Sequence, residues 1–303
     1  MAKYAIKRLI LAVVSIFIIC AITFFAMNAI PGGPFNKEKA ATPAVQAVLE
    51  ERFHLNEPVG KQFLIYMGNL LHGDFGISLK TGRDIWQTIS ESFAVSARIG
   101  FFAMVIALLI GIVMGSLAAL FRNKLPDRLI VFFSTLATAV PSFVMASLLL
   151  LIFCIQLKLI PVWSTSNQNY VLPVIALSLY PMAYITRLTK TSMLDVLGQD
   201  YVRTAKAKGV SWYSMIFKHA LRNALIPVIT YVGPMTASIM TGSLVVETIF
   251  TIGGLGSKFV ESITNRDYTM IMGTTIFLAV LMVLVNLLSD LVYKLVDPRI
   301  KFE

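Results

Sequence analysis

Long apolar runs separated by short polar stretches dominate this chain. A helical bilayer crossing needs about 20 apolar residues. About six runs approach or exceed that length, near Leu9 to Ile30, Ile99 to Phe121, Leu129 to Leu157, Val171 to Leu188, Leu225 to Phe250 and Met270 to Val292. The fourth is short and carries Pro173 and Pro181. The pattern predicts an all-α polytopic membrane protein.

Two stretches break the apolar rhythm. Between the first two spans, residues 31–92 are too long for a bare loop and carry their own helix punctuation. Thr42 with Pro43 and Glu57 with Pro58 read as a cap followed by a first helical turn. Val45, Val48, Leu49 and Phe53, then Phe63, Leu64, Met67 and Leu71, recur at helical spacing. Small amphipathic helices on the outer face are expected, packing over the spans or offering a landing surface to a partner. The expected division is residues 1–30 as N-terminal end and first span, 31–92 as the insertion, and 93–303 as a five-span core.

The second stretch runs from Gln199 to Pro227 and lies largely in a loop spanning 189–225. It predicts two short helices with a break. Asp200 can cap the first, and Tyr201, Thr204, Ala205 and Lys208 share one face of it. Gly209 suits the left-handed position that closes a helix, and Ser211 can cap the next. Thr204, Ala205 and Ala207 are small enough to let another backbone approach, and Lys206, Lys208, Lys218 and Arg222 surround that spot with positive charge. A solvated basic loop would explain any one of these lysines; helix, glycine, helix in sequence is the more telling feature.

Composition supports the membrane class: 57% of the 303 residues are apolar and 14% charged. The apolar run after Lys7 and Arg8 is too long for a signal-peptide core, and no small-residue cleavage pattern follows, so the first span is expected to stay in place. With a cytoplasmic N-terminus, the bases at Lys3, Lys7 and Arg8, at Arg122, Lys124 and Arg128, from Arg187 to Arg222, and at Lys294, Arg299 and Lys301 all fall on the inside. That side then carries the whole net charge of +10. The excess reports topology, and nucleic acid is not an expected partner. Cys20 and Cys154 lie inside apolar runs, as small buried thiols do.

Chemistry is sparse. His54, His72 and His219 are scattered without metal-ligand spacing. No phosphate-binding loop occurs, Gly60-Lys61 being followed by Gln62, and Gly253-Gly254-Leu255-Gly256 reads as a tight turn. No catalytic, cofactor or metal residues are expected. No charged residue falls mid-span; Arg98, Arg187, Glu247 and Asp290 lie near ends. Ion-coupled carriers usually place such a group at depth. Pro141, Pro173, Pro181, Pro227 and Pro234 suggest broken helices, which are tolerated where protein or a water-lined cavity satisfies the freed carbonyls. Gly111 and Gly115 form a small-xxx-small pair that permits close helix contact.

Taken together, these residues resemble the oligopeptide and dipeptide group of ABC-importer permeases, in particular the B-type subunit of an oligopeptide permease. The cytoplasmic E-A-A-x-x-x-G signature of that family is matched by Arg203-Thr204-Ala205-Lys206-Ala207-Lys208-Gly209, with Arg203 for the glutamate and Thr204 for the first alanine. The later part is altered, reading His219-Ala220-Leu221-Arg222. Further matching stretches include Ile30-Pro31-Gly32-Gly33-Pro34-Phe35, His72-Gly73-Asp74-Phe75-Gly76, Pro141-Ser142-Phe143, Glu247-Thr248-Ile249-Phe250, Asn265-Arg266-Asp267-Tyr268 and Asp297-Pro298-Arg299-Ile300-Lys301.

The resemblance implies a multi-pass subunit of a bacterial-type inner membrane with both termini cytoplasmic. It implies a C-type permease as heterodimer partner, two cytoplasmic ATPases that bind ATP and magnesium, and an external peptide-binding protein. The signature segment, Asp200 through Gly209, would be a coupling helix seated on an ATPase. Thr236, Ser238, Thr241 and Ser243 are candidates for a peptide route, although such hydroxyls also bond their own helix. Glu247 would meet a peptide amine or gate the outer side, or else cap a helix or pair with Arg266 or Lys258. Two other readings stay open: a stand-alone ion-coupled transporter, and an ABC permease for nickel or another small cargo.

Overall fold

The computed structural model describes residues 2–29, 56–240 and 244–296. Among them the chain is helical, with one isolated bridge between Ile77 and Asp84. The amphipathic pattern read at Thr42 to Phe53 lies outside the described residues. In order come α1 (Ala2–Ala29), α2 (Val59–Leu71), α3 (Ile85–Leu120), α4 (Leu125–Ala139), α5 (Ser142–Leu149, prolonged by a π-helical stretch Leu150–Gln156) and α6 (Val171–Leu197). Then follow α7 (Asp200–Ala207), α8 over 212–224, α9 (Ile226–Met240), α10 (Leu244–Ile249), α11 (Leu255–Asn265) and α12 (Tyr268–Val296). Five described helical segments are long and apolar enough to cross a membrane, six if α4 and α5 count as one span.

In the third predicted span the break suggested at Pro141 divides the run into two helices. Val140 is extended and Pro141 begins α5, so the helices bend by 103°. Proline lacks the N–H that would continue α4 and pushes the preceding residue out of helical conformation. The other prolines sort by position. Pro173 and Pro227 sit in the first turns of α6 and α9, where a missing N–H costs nothing, whereas Pro181 and Pro234 lie inside those helices. The second span is longer than expected, since α3 starts at Ile85 rather than Ile99.

The chain forms two compact units, one from Met1–Val95 and Gly253–Val283 and the other from Ser96–Ile252 and Leu284–Phe302. In the first, Cys20, Phe24 and Met27 of α1 pack with Phe63 of α2 and Ile271, Met272 and Ile276 of α12. Here the α2 stripe shifts from its predicted residues. Phe63, Tyr66, Met67 and Leu70 face the core, while Leu64 and Leu71 are exposed. Pro58, not Glu57, occupies the cap position, and Glu57 instead pairs with Lys61 at 2.8 Å. Asp267, buried before α12, accepts from the Ser78 hydroxyl at 2.5 Å and from the N–H groups of Leu79 and Met270 at 3.2 Å. One carboxylate thus ties the 76–84 loop to the start of α12.

In the second unit α3 and α6 approach closely at the predicted small-residue pair. A methyl at Gly111 would lie 2.8 Å from Ile185 Cγ2, and one at Gly115 only 2.5 Å from the Thr186 carbonyl oxygen. Ala107, Ile185, Val228, Met235 and Ile239 form the core beside this crossing. Nearer the end of α6, Ala119, Met193, Ile216, Ala220 and Ala224 bury one side of α8. Lys190 Nζ contacts Asp127 Oδ1 at 2.5 Å, and the Asn123 N–H donates to the other oxygen at 2.9 Å, fastening α4 to α6.

Candidate functional site: the exposed helix between two spans

Helix α7 projects from the packed bundle. Val202 is its buried residue; Asp200, Tyr201, Arg203, Thr204, Lys206 and Ala207 are exposed, Ala205 is half-buried, and Lys208 and Gly209 beyond the helix are exposed. Its start differs from the sequence expectation. Gln199, with ψ 150°, is the cap residue and makes no side-chain cap bond, so Asp200 is the first helical residue. The Asp200 carboxylate is 3.6 Å from Arg203, with both side chains largely solvated. It still favours the positive end of the helix dipole.

The other end matches the expectation in detail. Gly209 has φ +74°, and its N–H donates to the Lys206 carbonyl at 3.1 Å, while the Val210 N–H donates to the Ala205 carbonyl at 3.2 Å. This pair of bonds is a Schellman closure, which needs a left-handed residue at the glycine. Ser211 then caps α8, accepting from the Ser214 N–H at 3.4 Å.

Sequence reasoning missed what holds α7 in place. Val202 anchors it by burial, and the Tyr201 hydroxyl accepts from Asn223 Nδ2 at 2.8 Å and donates to the His219 carbonyl at 3.4 Å. Asn223 lies well beyond the segment's helical periodicity, so no local pattern pointed to it. Beside the knob stands an exposed aromatic rim: Tyr213 and Phe217 lie parallel, with ring centroids 6.3 Å apart, and Trp212 meets Tyr213 edge-on. The whole is a short projection held by one buried side chain and the Tyr201 hydrogen bonds, with small residues and bases on its surface.

The residues expected along a route do not all come together. Thr236 donates to the Val232 carbonyl at 2.7 Å and lies 3.0 Å from Met104 Sδ, so it faces α3. Ser238 is exposed on α9. Thr241 and Ser243 lie outside the described residues. Glu247 is buried in α10 and accepts from the Ser96 hydroxyl at 2.7 Å, while Lys258 pairs with Glu261. The Glu247 carboxylate is thus engaged inside the fold rather than open at its surface. Among the described residues no cluster of His, Cys, Asp or Glu is arranged to hold a metal ion.

Comparison with known proteins shows which family this chain belongs to. Residues 107–302 match the binding-protein-dependent transport system inner membrane component, and residues 1–100 match the N-terminal part of such a membrane component. The chain belongs to this permease family. It is 47% identical to the dipeptide transport system permease protein DppB of Bacillus subtilis, over 99% of this chain and 98% of that one. It is 42% identical to the oligopeptide transport system permease protein OppB of Haemophilus influenzae over the full length of both. Among solved structures, the permease resembles a chain of an amino acid ABC transporter, with a TM-score of 0.55 and 16% identity, covering 69% of this chain and 94% of that one. It also resembles a chain of the inward-facing MetNI methionine ABC transporter, with a TM-score of 0.52 and 15% identity over 70% and 96%. These two establish likeness of fold.

Proposed function

We propose that this permease forms half of the translocation pathway of an ATP-binding-cassette peptide importer, and that α7 receives the motion of a cytoplasmic ATPase. The observation that carries the reading is the exposed, glycine-closed α7, seated by Val202 and Tyr201 between two spans of a chain in this family. Peptide is the proposed cargo because relatives sharing 42–47% of residues over nearly the whole chain bear dipeptide and oligopeptide names.

The remaining parts follow from that assignment. The 31–92 insertion faces the outside, where a peptide-binding protein delivers cargo, and 93–303 is the permease core. Both termini and the 189–225 loop face the cytoplasm, consistent with the distribution of bases. A C-type permease completes the route, since a few helices each about 10 to 12 Å across fill most of the space between them when packed alone. ATP and magnesium are bound by two ATPase partners, and this chain holds no cofactor.

The energetics require a contact that changes. A partner shifts a conformational equilibrium only by its differential affinity for the two states. Driving a 1:99 population to 99:1 takes about 5.5 kcal/mol. Exposed ion pairs such as Asp200 with Arg203 contribute about 0.2–1 kcal/mol each, so a close-packed seat must supply most of the coupling. Thr204, Ala205 and Gly209 permit one, and the aromatic rim extends it.

Reconstitution of the chain with C-type permease, both ATPases and binding protein tests this reading. ATP-dependent uptake of labelled dialanine or trialanine is expected. Uphill uptake by the isolated chain under an ion gradient, without nucleotide, would overturn it.

A further inference from the structure

Helix α6 is the most enclosed of the candidate spans, yet one line along it is open. Tyr180, Tyr184, Arg187 and Thr191 are exposed, while Pro181, Ala183, Ile185 and Thr186 beside them are buried. Steps of four, three and four residues keep the open ones on a single face. At the helical rise this stripe runs about 16 Å along α6. On α9, Tyr231, Pro234 and Ser238 are similarly spaced, Pro234 and Ser238 exposed and Tyr231 half-buried. The Tyr184 and Tyr231 rings stack with centroids 4.3 Å apart and planes 29° apart, which joins the two lines into one surface.

Lipid is a poor occupant for this surface. The exposed residues of α1 and the middle of α3 are what hydrocarbon calls for: Leu9, Ile10, Val13 and Phe17, then Phe102, Leu109 and Val113. Helix α6 and the 226–249 span are instead the two least apolar of the candidate spans. Among the described residues, none of the hydroxyls of Tyr180, Tyr184 and Tyr231 is hydrogen-bonded. A buried or lipid-facing hydroxyl without a partner is strongly disfavoured, so these groups call for a polar partner from outside this chain: cargo, water or the second permease.

We propose that Tyr180, Tyr184 and Tyr231 form the shelf of the route that holds peptide cargo by its backbone, an inference that rests on the peptide-importer reading above. A phenol both donates and accepts, so it can bond either a peptide carbonyl or a peptide N–H. The ring faces contact varied side chains without demanding a charge. That combination suits cargo defined by its backbone rather than its sequence. Arg187, one turn along the same face, offers a positive group to a cargo carboxylate.

The test uses the complete importer in liposomes, with labelled trialanine as probe. A benzophenone amino acid in place of Tyr184 is expected to capture trialanine on illumination, in an ATP-dependent manner. Separately, the double variant Tyr180→Phe with Tyr184→Phe removes only hydroxyls and is expected to lower uptake about five- to tenfold. If trialanine is taken up but light joins position 184 only to the second permease or to lipid, or if the double variant transports normally, the shelf is wrong and the importer reading stands. If the unmodified complex takes up neither trialanine nor dialanine with ATP, the importer reading itself fails.

Discussion

Gly115 and Gly209 do opposite jobs. Gly115 has an ordinary backbone but no room, since a Cβ there would sit 2.5 Å from the Thr186 carbonyl oxygen and 2.6 Å from Thr189 Cβ. Gly209 has open space around it and an unusual backbone, with φ +74°. The first protects a crossing that must not give, and the second permits a sharp reversal on the projection proposed to meet an ATPase. Substitution at the packed glycine should therefore damage the fold, and at the exposed one the coupling.

The largest effect is expected at the crossing. Gly115→Leu should destabilise the permease by about 3 kcal/mol or more, because the clash is with backbone rather than a movable side-chain tip. Thermal unfolding in detergent and recovery of assembled complex would register it. Gly111→Ala meets an Ile185 methyl as well as the Met182 carbonyl and should cost less; equal losses at 111 and 115 would remove the distinction.

At Gly209, the β-branched Gly209→Val should cost about 1–2 kcal/mol locally, by forcing a left-handed L-residue. Gly209→Asn tolerates that conformation and should restore most of the closure. Uptake should follow the same order with little change in unfolding temperature. A Gly209→Trp variant mixes backbone strain with bulk, so it cannot by itself report the seat. Tyr201→Phe deletes the acceptor for Asn223 and should cost about 0.5–1.5 kcal/mol. Hydrogen exchange in α7 would show it as faster opening. The smallest change belongs to Asp200→Asn, whose solvated partner Arg203 makes a pair worth under about 1 kcal/mol; uptake should be nearly normal.

Much of this was legible from sequence because the signals are local. Apolar runs mark the spans, and Gly209 with Ser211 marks the end of one helix and the start of the next. Gly111 and Gly115 announced a close contact, although only the fold reveals Ile185, Thr186 and Thr189 as what they meet. Pro141 pointed to a broken helix without disclosing a 103° bend, since the angle depends on what the two halves pack against. The misses are non-local. Tyr201 finds Asn223 across a reversal, Glu247 finds Ser96 at the opposite end of its unit's sequence, and Thr236 turns toward Met104. The tyrosine stripe is not a local signal: Tyr180 and Tyr184 stand out only because the rest of their helix is enclosed.

The central claim is that α7 is pushed by an ATP-consuming partner, and the most direct measure is peptide moved per ATP hydrolysed when that seat is blocked. Thr204 is exposed, so Thr204→Trp should leave the unfolding temperature of the permease unchanged. In liposomes it is expected to lower the number of peptides moved per ATP by about tenfold or more, corresponding to a loss of about 1.4 kcal/mol of coupling. A Thr204→Trp complex that moves peptide at the unmodified ratio would contradict the account.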